Sequence, residues 1–591
     1  MEMAIAMIGG DPLSRVLHID LSRRRFWIVD RRDLFEKRLG GAGVAINLLD
    51  EECPKGVDPF SPENPVVLAV GPLTGVFPIA SKTVAMFKSP HTGNLGESHV
   101  GGRSAVSIRM VGYGAIVVKG SSPTPIYLVV ESNKVHFRDA SALWGMTSFT
   151  AGRAIREKES GPGIRTIMRI GRAGERLIRY ACVITETYRH FGRLGLGAIF
   201  GSKKLKGIMV AGKRSLKVND IVQYRKVYGE IFESLVSSPA MRKYHDLGTA
   251  MNVSALNEFG ALPTRNLEKA RFESAHEITG ERFAERHLGR RIACAHCPVS
   301  CIHLAALREP YETERYFYKT RMVCYDYEPI YSLGAMIGVS STEGLLRLFD
   351  EAEALGLDAI SAGVTLAWAT EAMQKGLVSD RETAGLKLQW GNHETYLKAL
   401  RHITDQPNDF YRALARGVEH ASSVYGGADF ALAFGGNEMP GYHTGPSAYA
   451  GYMTGARHSH LDGAGYGLDQ EFQALGGEPT ADAIAEALLS EESWRQVLSS
   501  LVICYFGREI YAVDTVLKAL KLVGYAFTPD DLLKLGREVL KAKYVFKTRE
   551  GFDFRKLRIP RRALETTSPL GRISEGLILE AIQSFETKLG S

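Results

Sequence analysis

Near residue 214 the spacing of apolar residues changes from two to about 3.6, and no regular element accommodates both periods. Upstream, RVLHIDLS (15–22) and RRFWIVD (24–30) read as a hairpin. PVVLAVGP (65–72), TVAMFKSP (83–90), GAIVVKG (114–120) and PIYLVVE (125–131) read as short strands bounded by Gly, Pro and Ser. GIMVAG (207–212) closes this strand-rich region. Downstream, DIVQYRKVYGEIFESLV (220–236), STEGLLRLFDEAEALG (341–356) and DDLLKLGREVLKAKYVF (530–546) read as amphipathic helices, the last opened by Pro529 and Asp530. Glycine is dense at 93–102 and 192–201, where it would let backbone approach a ligand closely. The Gly- and Tyr-rich stretch 435–467 reads as a long non-repetitive loop interrupting the helices, and such a loop usually has a functional reason. No internal repeat or low-complexity segment is evident.

Composition narrows the class. With 591 residues, 45% hydrophobic and 24% charged, the chain is an ordinary globular one, expected to form about three or four domains. Disorder, collagen and coiled coil are excluded. A net charge of +7 is mild and no Lys/Arg run stands out, so nucleic acid is not an expected partner, although an acidic partner or bound phosphates would suit it. No apolar run of about 18 residues is present, so no membrane span is expected. MEMAIAMIGGDPLSR lacks a basic start followed by an apolar core, so no secretory signal is expected and the location is expected to be cytoplasmic. In that compartment seven cysteines read as metal ligands or reactive thiols rather than disulfides.

The sharpest local signal is Cys294-Ala295-His296-Cys297-Pro298-Val299-Ser300-Cys301. Three thiolates this close can surround one metal centre, but iron–sulfur cubanes and structural zinc both usually want four ligands. The fourth comes from Cys53, Cys182, Cys324 or Cys504. Zinc would usually bring a second close ligand pair, which is missing, although His296 and His303 could contribute. A [4Fe-4S] cluster is the preferred reading, with zinc and metal-free thiols as alternatives. The same spacing occurs near the N-terminus of some molybdopterin enzymes; its mid-chain position here argues against that family.

Taken with its context, the triple resembles the tungsten-containing aldehyde:ferredoxin oxidoreductase family. The anchors are DPFSPENPVVLAVGPLTG (58–75), KSPHTG (88–93), GYGAIVVKG (112–120), RIGRAGE (169–175) and GRLGLGAIFGSKKLKGIMV (192–210) before it, and DYEPIYSLGAMIG (326–338), EALGLDAIS (353–361) and FTPDDLLKLGRE (527–538) after it. The resemblance implies an α+β fold. A β-rich N-terminal domain (1–213) would form a base for the cofactor, beneath helical domains at 214–421, with the cysteine triple and first pterin segment, and 422–591, with the late cluster cysteine. Between them would lie a tungsten-bispyranopterin cofactor beside a [4Fe-4S] cluster held by Cys294, Cys297, Cys301 and, by family position, Cys504, with Cys324 as the local competitor.

Carried over residue by residue, the β-domain contacts to the pterins fall on Lys82, His99, Gly101, Arg189, His190, Gly192 and Arg193. Lys82 stands where the family usually has Arg; it keeps the charge but loses the planar fork. His99 and His190 replace smaller or amide residues whose backbone carbonyls help hold a magnesium ion joining the pterin phosphates. Backbone ligation tolerates such changes, so magnesium remains compatible. The family's Asp-x-x-Gly-Leu-Asp/Cys segments correspond to Glu353-Ala354-Leu355-Gly356-Leu357-Asp358 and Ser499-Ser500-Leu501-Val502-Ile503-Cys504. The first keeps a carboxylate with longer reach, and Glu353, Leu357, Asp358 and Ile503 remain cofactor-binding candidates. The second loses both Asp and Gly, so its carboxylate contact must weaken or come from elsewhere. A Glu-x-x-His stretch that can bridge family dimers through a metal is matched by Arg347 and Asp350, so any homodimer is expected to lack that metal.

The resemblance places a glutamate and a histidine near tungsten, here Glu328 and His460. The family's Arg-Gly-x-x-His becomes Arg457-His458-Ser459-His460, one residue shorter, which makes His458 a competitor and Arg457 a cofactor contact. A buried carboxylate with raised pKa can act as general base, and an imidazole can hydrogen-bond the carbonyl oxygen or move a proton. Tyr442, His443 and Tyr452 are candidates for lining the pocket. The expected activity is oxidation of an aldehyde with water, electrons leaving through the cluster to ferredoxin or a similar low-potential carrier. The alternatives are a member acting on a non-aldehyde substrate with the same cofactors, or a degenerate cluster-only electron-transfer or structural subunit.

Overall fold

The computed structural model describes residues 11–590 apart from 162, 186–187, 217, 312, 315 and 477–478. Residues 1–10, most of the run read above for a signal, lie outside the described residues. Two six-stranded mixed sheets carry the N-terminal part. The first runs Arg25–Asp30, Arg15–Asp20, Ala115–Lys119, Val66–Ala69, Thr83–Lys88, Leu95–Val100 in spatial order. The expected hairpin pairs Arg15 with Asp30 through Asp20 with Arg25. The second sheet runs Arg189–Phe191, Val183–Thr185, Ile164–Arg169, Leu205–Gly212, Ile126–Glu131, Lys134–Asp139. The edge strands Leu95–Val100 and Arg189–Phe191 meet, so the sheets join along the line where the site will lie.

The first 213 residues are not strands alone. Helices Gly41–Glu52, Ser104–Val111, Ser148–Lys158 and Leu196–Ser202 cover the sheets. In Gly41–Glu52 and Leu196–Ser202 the Gly and Ala content keeps the helix thin enough to pack closely and hides its period. The helical part likewise holds a three-stranded antiparallel sheet, Leu288–Ile292, Ile302–Pro310 and Tyr318–Tyr325, and the cysteine triple sits in the connection between its first two strands. The stretch 435–467 is not one continuous loop: Pro446–Thr454 is a buried helix with proline in its first turn, and another helix starts at Gly465.

The expected helices form where their caps allow. Thr342–Leu355 starts at Ser341, whose hydroxyl accepts from Gly344 N–H, and stops at left-handed Gly356. Pro529–Arg549 opens with a capping box between Thr528 and Asp531. It packs, with Glu575–Gly590, against Ala481–Ser500, which also contacts Gly41–Glu52. One apolar core therefore unites the first sheet with Val497, Leu498, Leu501–Ile503 and the helix Pro529–Arg549, while a second core fills the helices between. At about 25 cal/mol per Å² of apolar surface, such continuous cores fix the chain segments that meet between them.

Candidate functional site

The hairpin Thr83–Lys88/Leu95–Val100 delivers the first site residues. Its register pairs Thr83 with Val100, so Lys82 and Gly101 face each other just beyond its open end. A Cβ built on Gly101 would stand 2.7 Å from Cys294 Sγ, 3.4 Å from Lys82 Nζ and 3.8 Å from Arg189 Nε. Three expected site residues thus converge where only glycine fits. Gly101→Ala is expected to push the Cys294 sulfur aside and lower iron content per chain, with overall secondary structure retained; iron analysis and circular dichroism measure both.

The second sheet delivers the next group. Val183–Thr185 and Arg189–Phe191 pair antiparallel, Ile184 with His190 and Thr185 with Arg189. Burial alone would lower the Arg189 pKa, but Cys294, Cys301, Cys324 and Asp326 around it raise it instead. His190 Nε2 lies 3.6 Å from Glu353 Oε1. Burial raises the Glu353 carboxyl well above its ordinary range, and both Glu353 Oε2 and His190 Nε2 lack hydrogen-bond partners. A Cβ on Gly192 would meet nothing closer than 4.0 Å, so space opens beside these strands.

Glu353 belongs to the first of the two helix-ending segments. There Leu357 N–H donates to Ala352 O (2.9 Å), Gly356 is left-handed (φ 82°), and Leu357 bridges to Ala181. Asp358 then caps the helix Ala359–Gln374 and pairs with Arg193 Nε (3.1 Å). The second segment closes its helix the same way: Ile503 N–H donates to Leu498 O (2.9 Å), and Val502 holds the glycine's place at φ 56°. Ile503 is buried in the first core. A β-branched residue in that conformation is strained by roughly 1–2 kcal/mol. The lost Asp is Ser499, whose hydroxyl engages Tyr505 OH (2.5 Å), itself beneath the Arg495 guanidinium.

Val502 is one of four strained non-glycine residues bracketing the thiols, with Ile79 (φ 56°), His296 (φ 60°) and Ser300 (φ 53°). Backbone hydrogen bonds tie three of them into the site. Ile79 N–H donates to His296 O, Cys504 N–H to Ile79 O, and Lys82 N–H to Val502 O, at 2.9, 3.1 and 3.1 Å. Strain concentrated this way marks ligand clamps. Burial pushes the Cys297 and Cys301 thiols up, Cys301 to about 12, and Cys294 and Cys504 add to the rise at both. The thiols therefore need a cationic centre to become thiolates. Among the described residues no three His, Cys, Asp or Glu groups close on a point fit for one metal ion. Cys324 lies in a small apolar cluster with Ile302 and Leu304 that packs against Cys294. His303 donates to or accepts from backbone carbonyls at 245, 246 and 301.

The helix Tyr327–Leu333 carries Glu328, and the turn after Thr454 carries His460. His460 Nδ1 stands 3.5 Å from Glu328 Oε1, and neither atom has a hydrogen-bond partner. Protein surrounds both side chains, yet they remain 16% and 10% exposed for Glu328 and His460. They line an internal cavity. Burial raises Glu328 to about 8, opposed in part by Arg193 and by Gly441 N–H, which donates to Oε2 (3.2 Å). Burial, then Arg193, Arg457 and Arg495, drives the His460 pKa well below its ordinary value. At neutral pH the pair is a protonated carboxyl facing a neutral imidazole. The Arg193 NH1 nitrogen is also unpartnered.

His458 is different. Its Nδ1 donates to Tyr452 O (2.9 Å) and its Nε2 accepts from Lys547 Nζ (3.0 Å), so it is a satisfied core residue. Arg457 is clamped by Asp462 (2.6 Å) and shapes the loop. His99 pairs with Glu97 (2.7 Å), which also pairs with Lys543. His443 is held by Tyr449 OH and Thr566 O, and Tyr452 OH donates to Tyr442 O; of these three only Tyr442 reaches the cavity, its ring 5.1 Å from His460. Arg347 pairs with Glu309 and Glu394, and Asp350 with Arg321, so both are engaged in ion pairs. Sequence reasoning missed Glu438, which accepts from Ser361 Oγ and Val418 N–H, faces His91 (2.8 Å), and offers its carbonyl to Arg193. It also missed Asp326, Tyr466 and Tyr505; the Tyr466 ring stacks on Tyr442 at 4.4 Å. Two broad surface clefts, around Arg271 and Thr566 and around Tyr544 and Phe552, contain none of these residues.

The residues present fit the expected groups. The orphaned Glu353, His190, Arg193, Glu328 and His460 atoms are polar positions for a buried polar ligand, since burying them unpaired would cost about 1–3 kcal/mol each. Among the described residues no helix is long and apolar enough to cross a membrane.

Known proteins match along this whole framework. The family description "Aldehyde ferredoxin oxidoreductase, N-terminal domain" matches residues 16–212, and "Aldehyde ferredoxin oxidoreductase, domains 2 & 3" matches 226–586. The tungsten-containing aldehyde ferredoxin oxidoreductase of Thermococcus kodakarensis is 31% identical over 573 residues, 94% of this chain and 92% of that protein. The Pyrococcus furiosus protein of the same name is 31% identical over 554 residues, 91% of this chain and 89% of that one. In fold, the chain is similar to a solved structure described as the active site complex BamBC of benzoyl coenzyme A reductase with 1,5-dienoyl-CoA. The TM-score is 0.81 at 22% identity, over 98% of this chain and 94% of that one.

Proposed function

The chain belongs to the aldehyde ferredoxin oxidoreductase family and is an oxidoreductase, and from that premise we propose that it oxidises an aldehyde to a carboxylic acid with water and passes the electrons to a ferredoxin. The single observation that carries this reading is the unpartnered Glu328–His460 pair, a buried carboxyl facing a buried imidazole. The balance is R–CHO + H2O giving R–COOH, two protons and two electrons. When bound, a tungsten-bispyranopterin centre supplies the two-electron chemistry. Cys294, Cys297, Cys301 and Cys504 would hold the [4Fe-4S] cluster that hands electrons on singly. Lys82, Gly101, Arg189, His190, Gly192, Arg193, Glu353 and the Leu357–Asp358 and Ile503 turns would surround the pterins, with His99 and Arg457 behind them and magnesium compatible at their phosphates. Seven unpaired cysteines suit a cytoplasmic setting.

The chain's own residues then divide the work. His460, neutral, can donate its N–H to the carbonyl oxygen and orient it. Glu328 holds one proton near neutrality and can exchange it at Oε1 as charge develops. Tyr442 and Tyr466 present flat ring faces to whatever occupies the cavity. Metal analysis with aldehyde-dependent viologen reduction tests the reading. Tungsten and iron in a ratio of about one to four, with turnover, support it; zinc alone among the thiols overturns it. One observation favours a second reading, a non-aldehyde substrate with the same cofactors: Ser499 and Val502 stand where the resemblance implies Asp and Gly, which would alter one pterin contact. Tungsten present with no turnover of small or aromatic aldehydes would select that reading.

A further inference from the structure

The cysteine loop comes to the surface within a ring of cations. His296, inside the loop, is exposed. Ala295 N–H donates to Gly102 O (2.8 Å), which sets exposed Arg103 beside it. On the other side the helix Pro239–Asp246 abuts the loop: His245 Nδ1 lies 2.9 Å from Val299 O, and Arg291 donates to Asp246 O (3.2 Å). That helix exposes Arg242 and Lys243, and Arg291 is exposed as well. Tyr244 stacks on Phe506 (4.1 Å), which brings half-buried Arg508 to the same rim. On these segments only Asp246 and Glu509 oppose Arg103, Arg242, Lys243, Arg291 and Arg508.

We propose that this face docks a small acidic iron–sulfur electron carrier. The proposal rests on reading the four thiols as a cluster site, because the loop is then the thinnest cover over the electron exit. Opposite charge steers encounter and orients the carrier over His296. A second copy of this chain would bring the same positive rim and be repelled. Arg242 and Arg508 are pinned by Asp246 (4.0 Å) and Glu509 (3.7 Å), whereas Arg103, Lys243 and Arg291 are exposed, so their charge acts at range and is screened by salt.

The test is calorimetric binding of a small acidic two-cluster ferredoxin to the holoenzyme and to its Arg103→Glu, Lys243→Glu, Arg291→Glu triple variant, at about 20 and 200 mM salt. Affinity is expected to fall by about 30-fold or more at low salt in the variant, with a flatter salt dependence. Viologen-linked turnover, which needs no docking, is expected to stay within about twofold. Equal binding by both proteins, or none by the wild type at low salt, overturns the proposal. Loss of viologen turnover in parallel with binding also overturns it, since the residues would then be structural. Failure of the cluster reading is registered separately, as absent iron.

Discussion

Glu328→Gln is expected to cut turnover by about 10²- to 10⁴-fold while tungsten and iron content stay at wild-type levels. Gln keeps the volume of the side chain and can still accept from Gly441 N–H, so the helix start and the cavity wall survive. What it cannot do is take or release a proton opposite His460. The pH dependence gives a second reading of the same group. Because burial raises the carboxyl to about 8, kcat/KM for wild type is expected to ascend with pH toward that value if the carboxylate form is required, and the residual activity of the variant to lack that limb. Stability carries the opposite sign. Between about 4.5 and 8 the folded state keeps a proton that the unfolded state has released, so Glu328 contributes falling stability as pH rises through this window. The variant is therefore expected to gain in melting temperature relative to wild type at pH 8, and not at pH 4. Unchanged turnover would reject the proton-transfer role.

The parts of this architecture that were legible in the sequence are those whose signals are local. The hairpin at 15–30, the helix Thr342–Leu355 with its Ser341 and Gly356 ends, and the capped helix at Pro529 follow from period and caps. The helices Gly41–Glu52 and Leu196–Ser202 were not legible, because alanine and glycine erase the contrast between faces. The short strands around the cysteine triple and the helix inside 435–467 escaped for a related reason: their apolar residues are fixed by distant partners. The candidate site divides similarly. Glu328 and His460 rest on the family resemblance, and the structure brings them together from segments more than 100 residues apart. Only three-dimensional packing separates His460, with an unpartnered nitrogen, from His458, whose nitrogens are both engaged. Glu438 organises Arg193, Ser361 and His91 without any sequence signal that marks a single glutamate out.

The fourth sulfur gives the other large expected effect. Cys504→Ala is expected to lose the intact cluster, seen as low iron and altered electron paramagnetic resonance, and to lower the melting temperature by about 10 °C or more, because metal binding is coupled to folding. Cys324→Ala is expected to keep both, at a cost of about 1 kcal/mol for the small cavity it leaves. The contrast follows from what holds each thiol. Cys504 hangs from Ile79 O and follows left-handed Val502, and it lies close enough to Cys297 and Cys301 to raise both their thiols. It is half-buried and, like those two cysteines, sits at the margin of the first core. Cys324 is 7% exposed, among Ile302 and Leu304, and burial with Glu353 and Asp326 drives its thiol far up. Burial disfavours the thiolate at Cys297 and Cys301 as well, so what distinguishes Cys504 is the strained backbone at Ile79 and Val502 that holds its segment. The reverse outcome, with iron lost from Cys324→Ala and kept in Cys504→Ala, would move the cluster toward Arg189 and make the strain at Val502 a matter of packing alone.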